Sequence, residues 1–269
     1  MKQVIASVTQ NRKILPQCGR ERARTMLQSR IIGLKCPQIA REAKPGQYVM
    51  VRCGNCTLPR PFSLHGTTPD GEITLYYAVW EDGKGTDWLS RRHKGDSIEV
   101  IGPLGNGFTI NAKSKQLLLV AGGIGIAPMS FLAQAVIVKG HSVTLLVGAQ
   151  TTTQLYPRSL LPKEAKLVPA TDDGTAGKKG RVTDLLPDFV DQADQVFSCG
   201  PMAMYQDMHA RRKQLLKDKP VQVSLEVRMG CGRGVCYGCT IKTKSGLKMV
   251  CQDGPVFDLD EVRWDEPLC

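Results

Sequence analysis

The chain has 269 residues, 42% hydrophobic and 23% charged, with a formal net charge of +11. That length predicts two ordinary domains and a small appendix, and the composition excludes a disordered or fibrous chain. Ten cysteines do not make a disulfide scaffold at this size, and the opening Met-Lys-Gln-Val-Ile-Ala-Ser-Val has no signal-peptide apolar stretch, so a reducing cytoplasm is the expected setting.

The charge is unevenly spread. Residues 1–60 hold twelve Lys/Arg against two acids, whereas the stretch from Asp253 onward is acidic. A basic face can meet nucleic acid, but no interleaved aromatics or nucleic-acid motif accompany this one. The basic residues are therefore read as meeting nucleotide phosphates and an acidic partner surface, and no nucleic-acid partner is expected.

Residues 1–112 read as a β domain. Short β-like runs follow turn signals: 47–52 after Lys44-Pro45-Gly46, 72–79 after Pro69-Asp70-Gly71, and 97–101 after Lys94-Gly95-Asp96. Such spacing predicts an antiparallel barrel or sandwich. Trp88-Leu89-Ser90 reads as one helical turn. Within this domain, Arg60-Pro61-Phe62-Ser63 offers a guanidinium fork for a pyrophosphate and a hydroxyl for a ring nitrogen or carbonyl. Gly83-Lys84-Gly85-Thr86 offers backbone N–H groups and a helix start that can receive phosphate. Tyr76 and Tyr77 lie on the strand between, where an aromatic can pack against an isoalloxazine or fill the barrel core. Cys53 and Cys56 form a C-x2-C pair with no second pair beside it, read as incidental.

Residues 113–220 read as alternating β and α. Leu117 to Val138 carries no charge over a length that can span a bilayer. Gly122-Gly123-Ile124-Gly125-Ile126-Ala127-Pro128 splits it into a strand-like run, a glycine turn and a helix-length part with Pro128 at the helix start. Strand, glycine turn and helix form a nucleotide-binding unit, so no membrane span is expected. Runs at 142–149, 166–170 and 195–199 alternate with helical stretches around 155–161, at 182–189 and from 203 to about 217, predicting a doubly wound parallel sheet. Cys199-Gly200-Pro201-Met202 falls at the carboxyl end of a strand, where such folds bind ligands; a cysteine there can contact a nicotinamide without being a nucleophile, or simply be buried. The second strand ends at Gln150, a threonine run follows, and no arginine occurs before Arg158, which favours NADH over NADPH. The four histidines form no metal-ligand spacing.

Residues 221–269 form a cysteine module. Cys231, Cys236 and Cys239 stand in C-x4-C-x2-C, and Cys251 follows after eleven residues, the plant-type ligand pattern of a [2Fe–2S] cluster. Gly232, Gly234 and Gly238 let backbone N–H groups approach the sulfides. Four cysteines also satisfy zinc, but zinc sites are usually built from two C-x2-C-like knuckles and only Cys236 and Cys239 have that spacing.

Taken in order, Arg-Pro-Phe-Ser, Gly-Lys-Gly-Thr, Gly-Gly-Ile-Gly-Ile-Ala-Pro and Cys-Gly-Pro-Met resemble the ferredoxin–NADP reductase superfamily. The ending, Met-Gly-Cys-Gly-Arg-Gly-Val-Cys-Tyr-Gly-Cys with Val-Cys-Gln-Asp-Gly-Pro-Val-Phe, resembles the electron-transfer subunits of NAD-dependent dihydroorotate dehydrogenases, as do Thr171-Asp172-Asp173-Gly174 and Gly180-Arg181-Val182-Thr183-Asp184. The resemblance covers nearly the whole chain. It implies an antiparallel FAD-binding barrel over 1–112, a doubly wound parallel-sheet NAD domain over 113–220 and a small [2Fe–2S] module over 221–269. It implies FAD contacts at Arg60, Pro61, Phe62 and Ser63, at Tyr76, Tyr77, Ala78 and Val79, and at Gly85 and Thr86. It implies NAD contacts at Gly122, Gly123, Gly125, Ala127 and Pro128, and at Cys199, Gly200 and Pro201, with the cluster on Cys231, Cys236, Cys239 and Cys251. A basic residue is expected where Ala78 stands, so that contact is expected through backbone, and the basic stretch from Arg12 to Arg30 has no counterpart in the pattern. The implied partner is an FMN-containing dihydroorotate dehydrogenase catalytic subunit, in a heterotetramer of two of each subunit serving pyrimidine biosynthesis. The nearest rival is a reductase subunit of the same build serving a hydrogenase, a sulfite reductase or a ferredoxin-coupled enzyme.

Overall fold

The computed structural model describes residues 1–16, 20–21 and 24–265, so Cys18 and Cys269 and part of the basic 12–30 stretch lie outside the described residues. The first seven strands are β1 (Lys2–Leu15), β2 (Arg20–Glu21), β3 (Arg24–Lys35), β4 (Tyr48–Val51), β5 (Arg60–Thr67), β6 (Glu72–Trp80) and β7 (Ser97–Leu104), with helices α1 (Pro37–Ala40) and α2 (Lys84–Ser90) among them. They pair in the order β1-β7-β4-β5-β6-β3-β2, and a further β1–β3 ladder closes the ring into a six-stranded antiparallel barrel. Closure removes the open edges that a sheet of this kind would otherwise expose. Alternate residues fill the interior: Val49 and Val51 of β4, Phe62 and Leu64 of β5, and Leu75, Tyr77 and Val79 of β6 share one core. The helical turn expected at Trp88–Ser90 is longer and begins at Lys84.

The second sheet contains β8 (Gln116–Gly122), β9 (Ser142–Ala149), β10 (Lys166–Thr171), β11 (Lys178–Lys179), β12 (Gln195–Cys199), β13 (Val221–Ser224) and β16 (Val256–Asp258). Its order is β11-β10-β9-β8-β12-β13-β16, parallel throughout except for the final β13–β16 pair. β8 reads as an unbroken apolar run because both its faces are covered. Leu118 and Val120 pack on one side, and Leu117, Leu119 and Ala121 on the other with helix α3 (Ile126–Ile137). The uncharged 117–138 stretch is thus a strand, a 3-10 turn at Gly123–Gly125 and a helix, and no helix among the described residues is long and apolar enough to cross a membrane.

Two helical expectations change in detail. The 155–161 segment holds only a 3-10 turn at Arg158–Leu160, with another just before it at Thr152–Gln154, because Leu155 is extended and Pro157, also extended, begins the second turn. The 203–217 helix is split into α5 (Met202–Ala210) and α6 (Arg212–Leu215), with α4 (Leu186–Phe189) preceding them.

The cysteine module is not a free appendix. Val221–Ser224, read as its beginning, is a strand of the parallel sheet hydrogen-bonded to β12, and β16 returns the chain to the edge of that sheet. Between them lie the cysteine loop, the hairpin β14 (Thr240–Thr243) and β15 (Gly246–Met249), and the short helix α7 (Val250–Asp253). One continuous apolar core joins this module to both domains, through Leu118 and Val223 of the sheet, Cys239 and Cys251 of the module, and Tyr48, Met50 and Leu104 of the barrel.

Candidate functional site

The cysteine loop is shaped by close approaches that exclude side chains. Gly232 and Gly234 adopt φ of +64° and +75°, a region that L-residues avoid. A Cβ at Gly232 would lie 2.6 Å from Met50 Cγ, and one at Gly234 would lie 2.7 Å from Gln252 Cγ. The loop therefore lies directly on strand β4 of the barrel and on the helix that carries Cys251. Cys239 and Cys251 are each 2% exposed, whereas Cys236 faces solvent between Val235 and Tyr237, 72% and 69% exposed.

The four sulfurs are neighbours: Cys231 lies by Cys236, and Cys251 by Cys239 and Cys231. No three His, Cys, Asp or Glu groups among the described residues converge on a single metal position. The Arg233 amide points at Cys231 Sγ from 3.3 Å. Burial pushes the Cys231 thiol up, but the N–H groups of Arg233 and Val235 and the Cys236 thiol outweigh it and bring the pKa down to about 6. Burial, reinforced by Cys239, pushes Cys251 up to about 12. Four neighbouring thiols in a glycine cradle with an inward-pointing amide fit a two-iron cluster, whose thiolate charge these N–H groups would stabilise. The Tyr48 hydroxyl donates to the Cys251 carbonyl at 3.4 Å, and burial followed by the charges of Cys251, Cys239 and Cys231 raises its pKa.

The expected flavin residues divide by the alternation of the strands. Phe62 packs edge-on against Tyr77 inside the barrel, with ring centroids 5.8 Å apart. Phe62, Tyr77 and Val79 are core residues whose side chains point into the barrel. Pro61, Ser63, Tyr76 and Ala78 face outward. Tyr76 is itself occupied: it meets Tyr156 edge-on at 4.9 Å and donates to Ser29 Oγ at 3.0 Å. Tyr156 also bonds His65 Nε2 at 2.9 Å, so this group ties the barrel to the nucleotide domain. Burial, and secondarily Arg12, lowers the His65 pKa to about 4 and keeps that ring neutral.

Arg60 and Gly85 come together, since a Cβ on Gly85 would lie 3.0 Å from Arg60 Cγ. Beside them opens a cavity of about 480 Å³ lined by Cys53, Asn55, Cys56, Arg60, Lys84 and Trp88. The Arg60 guanidinium donates to the Leu58 carbonyl at 2.7 Å, and Thr86 Oγ1 donates to the Gly83 carbonyl at 3.1 Å. Cys53 and Cys56, read as incidental, turn out to wall this cavity. The Cys56 amide donates to the Cys53 carbonyl at 3.1 Å in a tight turn, and burial, followed by Cys56, pushes the Cys53 thiol up to about 12.

The nucleotide loops meet at the switch point of the sheet. From β8 the chain steps outward to β9 and β10, then returns to β12 on the other side of β8, so the loops after β8 and β12 open side by side. They interlock tightly: a Cβ on Gly125 would lie 2.0 Å from the Cys199 carbonyl oxygen, and one on Gly122 would lie 2.7 Å from Pro201 Cδ. Ala127 and Pro128 are buried in the first turn of α3. Cys199 is 7% exposed, and burial, followed by the charge of Glu226, pushes its thiol up to about 12, which suits a wall group and not a nucleophile. Tyr205, wholly buried, accepts from the Gly200 amide at 2.8 Å and donates to the Ser224 carbonyl at 2.6 Å. No sequence signal marked Tyr205 or Tyr48, because each acts on a loop brought near only by the fold. A second cavity of about 620 Å³ lies beyond β10, lined by Asp172, Gly180, Arg181, Asp184, Asp207 and Arg211.

Comparison with known proteins shows the family and the fold. Residues 226–263 match a family model described as the iron-sulfur cluster binding domain of dihydroorotate dehydrogenase B, and residues 119–210 match the oxidoreductase NAD-binding domain. The chain is 39% identical over 240 residues to the electron transfer subunit of dihydroorotate dehydrogenase B (NAD(+)) from Desulforamulus reducens, covering 85% of this chain and 90% of that protein. It is 35% identical over 260 residues to the protein of the same name from Bacillus caldolyticus, covering 91% and 98%. Among solved structures it superposes with a TM-score of 0.84 and 29% identity on a chain from an NADH-dependent reduced ferredoxin-NADP oxidoreductase, over 97% of this chain and 91% of that one. The ferredoxin reductase in carbazole 1,9a-dioxygenase, at 19% identity and a TM-score of 0.68 over 82% and 68% of the two chains, shares the fold.

Proposed function

This chain belongs to the family of electron-transfer subunits of NAD-dependent dihydroorotate dehydrogenase B, and from that premise we propose that it passes electrons between a dihydroorotate dehydrogenase catalytic subunit and NAD, in pyrimidine biosynthesis. The observation that carries the reading is the seating of the cysteine loop on β4, the strand hydrogen-bonded to the Arg60–Ser63 segment of β5. Electron entry and electron exit are thus neighbours on one barrel wall. When bound, the cluster supplies one-electron carriage and the flavin the exchange between one- and two-electron transfers.

The residues of this chain divide the work. Cys231, Cys236, Cys239 and Cys251 hold the cluster. Arg60, Gly85 and Thr86 bind the flavin pyrophosphate, while Pro61, Ser63 and Ala78 present the outer barrel wall to the ring and Phe62, Tyr76, Tyr77 and Val79 shape that wall. Gly122, Gly123, Gly125, Ala127 and Pro128 receive the dinucleotide phosphates, and Cys199, Gly200 and Pro201 back the nicotinamide. No acid–base residue is required of the chain, since orientation and cofactor electronics suffice.

The partner is a catalytic subunit carrying FMN, in an assembly of two copies of each chain. Supporting this, the solvent-facing Cys236 is bordered by the exposed apolar Val235, Tyr237 and Leu58, an unusual surface for a lone chain and a suitable edge for a docked partner. A second reading, a reductase subunit of a different complex, is favoured by the TM-score of 0.84 to the NADH-dependent reduced ferredoxin-NADP oxidoreductase chain. Coexpression with a dihydroorotate dehydrogenase catalytic subunit separates the two. The proposal expects copurification and dihydroorotate-dependent NAD+ reduction. A fully loaded chain that neither binds that subunit nor supports the reaction contradicts it.

A further inference from the structure

Tyr48 stands between the two ends of the electron path. It lies on β4 and is 3% exposed, packed in the same core as Met50, Leu104, Cys239 and Cys251. Its ring is wedged into the turn beside the cysteine module: a Cβ on Gly105 would lie 3.1 Å from Tyr48 Cε1 and 2.5 Å from the Gly254 carbonyl oxygen. Its hydroxyl donates to the backbone carbonyl of Cys251 across 203 positions of sequence.

The same strand face addresses the flavin segment. In the antiparallel β4–β5 ladder Tyr48 is opposite Ser63 and Met50 is opposite Pro61. Residues directly opposite in such a ladder have Cβ atoms about 5 Å apart and point to the same side of the sheet. Val49 and Phe62, the intervening pair, turn into the barrel. Met50 therefore touches the cysteine loop and Tyr48 the Cys251 helix, while both stand beside the two outward residues of the flavin segment.

We infer that Tyr48 is a positioning residue for the cluster: its hydroxyl fixes the Cys251 peptide against β4 and offsets the negative end of that carbonyl beside the cluster. The inference rests on the reading of the four cysteines as cluster ligands. Hydrogen bonding and local dipoles around the ligating sulfurs are among the factors that set the potential of such a centre. Without the hydroxyl, the Cys251 carbonyl keeps its full negative end, and adding an electron to the cluster becomes harder. No redox change of the tyrosine itself is involved.

The test is a spectroelectrochemical titration of the purified, cofactor-loaded protein, followed by EPR of the reduced cluster. Tyr48→Phe keeps the ring and removes the donor. It is expected to retain iron, acid-labile sulfide and FAD, to show a cluster midpoint potential more negative than wild type, and to give altered g-values. Tyr156→Phe removes another buried hydroxyl, one that bonds to His65 in the barrel–nucleotide-domain contact, and is expected to leave both unchanged. A loaded Tyr48→Phe protein with wild-type potential and g-values overturns the inference. If Tyr48→Phe does not retain the cluster, the volume-conserving Met50→Leu decides: cluster loss there too assigns the effect to strand packing and overturns the inference, while a retained cluster at wild-type potential assigns it to the hydroxyl. A wild-type protein without iron and sulfide contradicts instead the cluster reading on which the inference stands.

Discussion

The hydroxyl of Tyr205 bonds the backbone of two neighbouring strand ends, accepting from the Gly200 amide at 2.8 Å and donating to the Ser224 carbonyl at 2.6 Å. It thereby holds the loop after β12 to the neighbouring strand β13 at the point where the dinucleotide is expected to lie.

Tyr205→Phe should loosen that loop without emptying the core. It leaves the buried Gly200 amide without its partner, at about 1–3 kcal/mol. The expected result is a higher KM for NADH with FAD and iron contents unchanged. Equal kinetics for the variant and wild type would show that the loop is held by its packing against Gly122 and Met204 alone.

Cys236→Ser should remove the cluster and leave flavin reduction by NADH intact, because the cysteine loop lies outside both nucleotide-binding segments. Iron and acid-labile sulfide analysis checks the first half and dye-linked NADH oxidation the second. Full iron and sulfide in the variant would remove Cys236 from the ligand set.

Arg60→Ala should weaken FAD retention by about 1.5–3 kcal/mol, or roughly ten- to hundredfold in affinity, for one lost charge-assisted contact. Flavin content after exhaustive dialysis measures it. Unchanged retention would leave the Arg60–Ser63 segment as barrel structure only.

The dinucleotide should be NADH. Arg158, the first arginine in sequence after the second strand of the sheet, spends its guanidinium on the carbonyls of Leu161, Pro162, Lys163 and Ala165, at 3.4, 2.7, 2.9 and 3.0 Å. A group so fully engaged in its own loop is not available to a 2′-phosphate. Steady-state flavin reduction with each cofactor checks this, and a higher kcat/KM for NADPH would contradict it.

Stability should depend on pH through His65. Its folded pKa of about 4 lies below the ordinary 6.5, so below pH 6.5 the unfolded chain takes up a proton that the folded protein refuses. The stabilisation is complete above pH 6.5 and is lost progressively as pH falls toward 4, on the order of 3 kcal/mol over that interval. Urea melts at pH 7 and pH 5 of wild type and His65→Gln should show a smaller pH difference in the variant. An equal difference would place the dependence elsewhere.

Sequence reasoning reached what local pattern encodes. The runs at 142–149 and 195–199 coincide with β9 and β12, and 72–79 falls one residue short of β6. Each is an apolar run bounded by turn residues or polar segments. β1 and β3, the two longest described strands at 14 and 12 residues, were not legible because polar residues interrupt the alternation on both faces, with Gln3, Ser7, Gln10 and Arg12 outside and Asn11, Gln28 and Arg30 on the inward side. Which side chains of the Arg60–Ser63 and Tyr76–Val79 segments face inward could not be read without the strand register, so Phe62 and Tyr77 were grouped with their outward neighbours. The grouping of cysteines was visible only as spacing. Their seating on Met50, and the reach of Tyr48 to Cys251, depend on chain segments about 180–200 residues apart in sequence, for which spacing carries no signal.

The most direct measurement is NAD+ reduction by dihydroorotate in the complex reconstituted from this chain and a dihydroorotate dehydrogenase catalytic subunit, with Cys236→Ser run in parallel. Wild type should turn over and the variant should not, while the variant complex still oxidises dihydroorotate with a dye that accepts electrons at the catalytic subunit. NAD+ reduction that persists at the wild-type rate in a Cys236→Ser complex devoid of iron would contradict this, because electrons would then cross between the subunits without the cysteine loop.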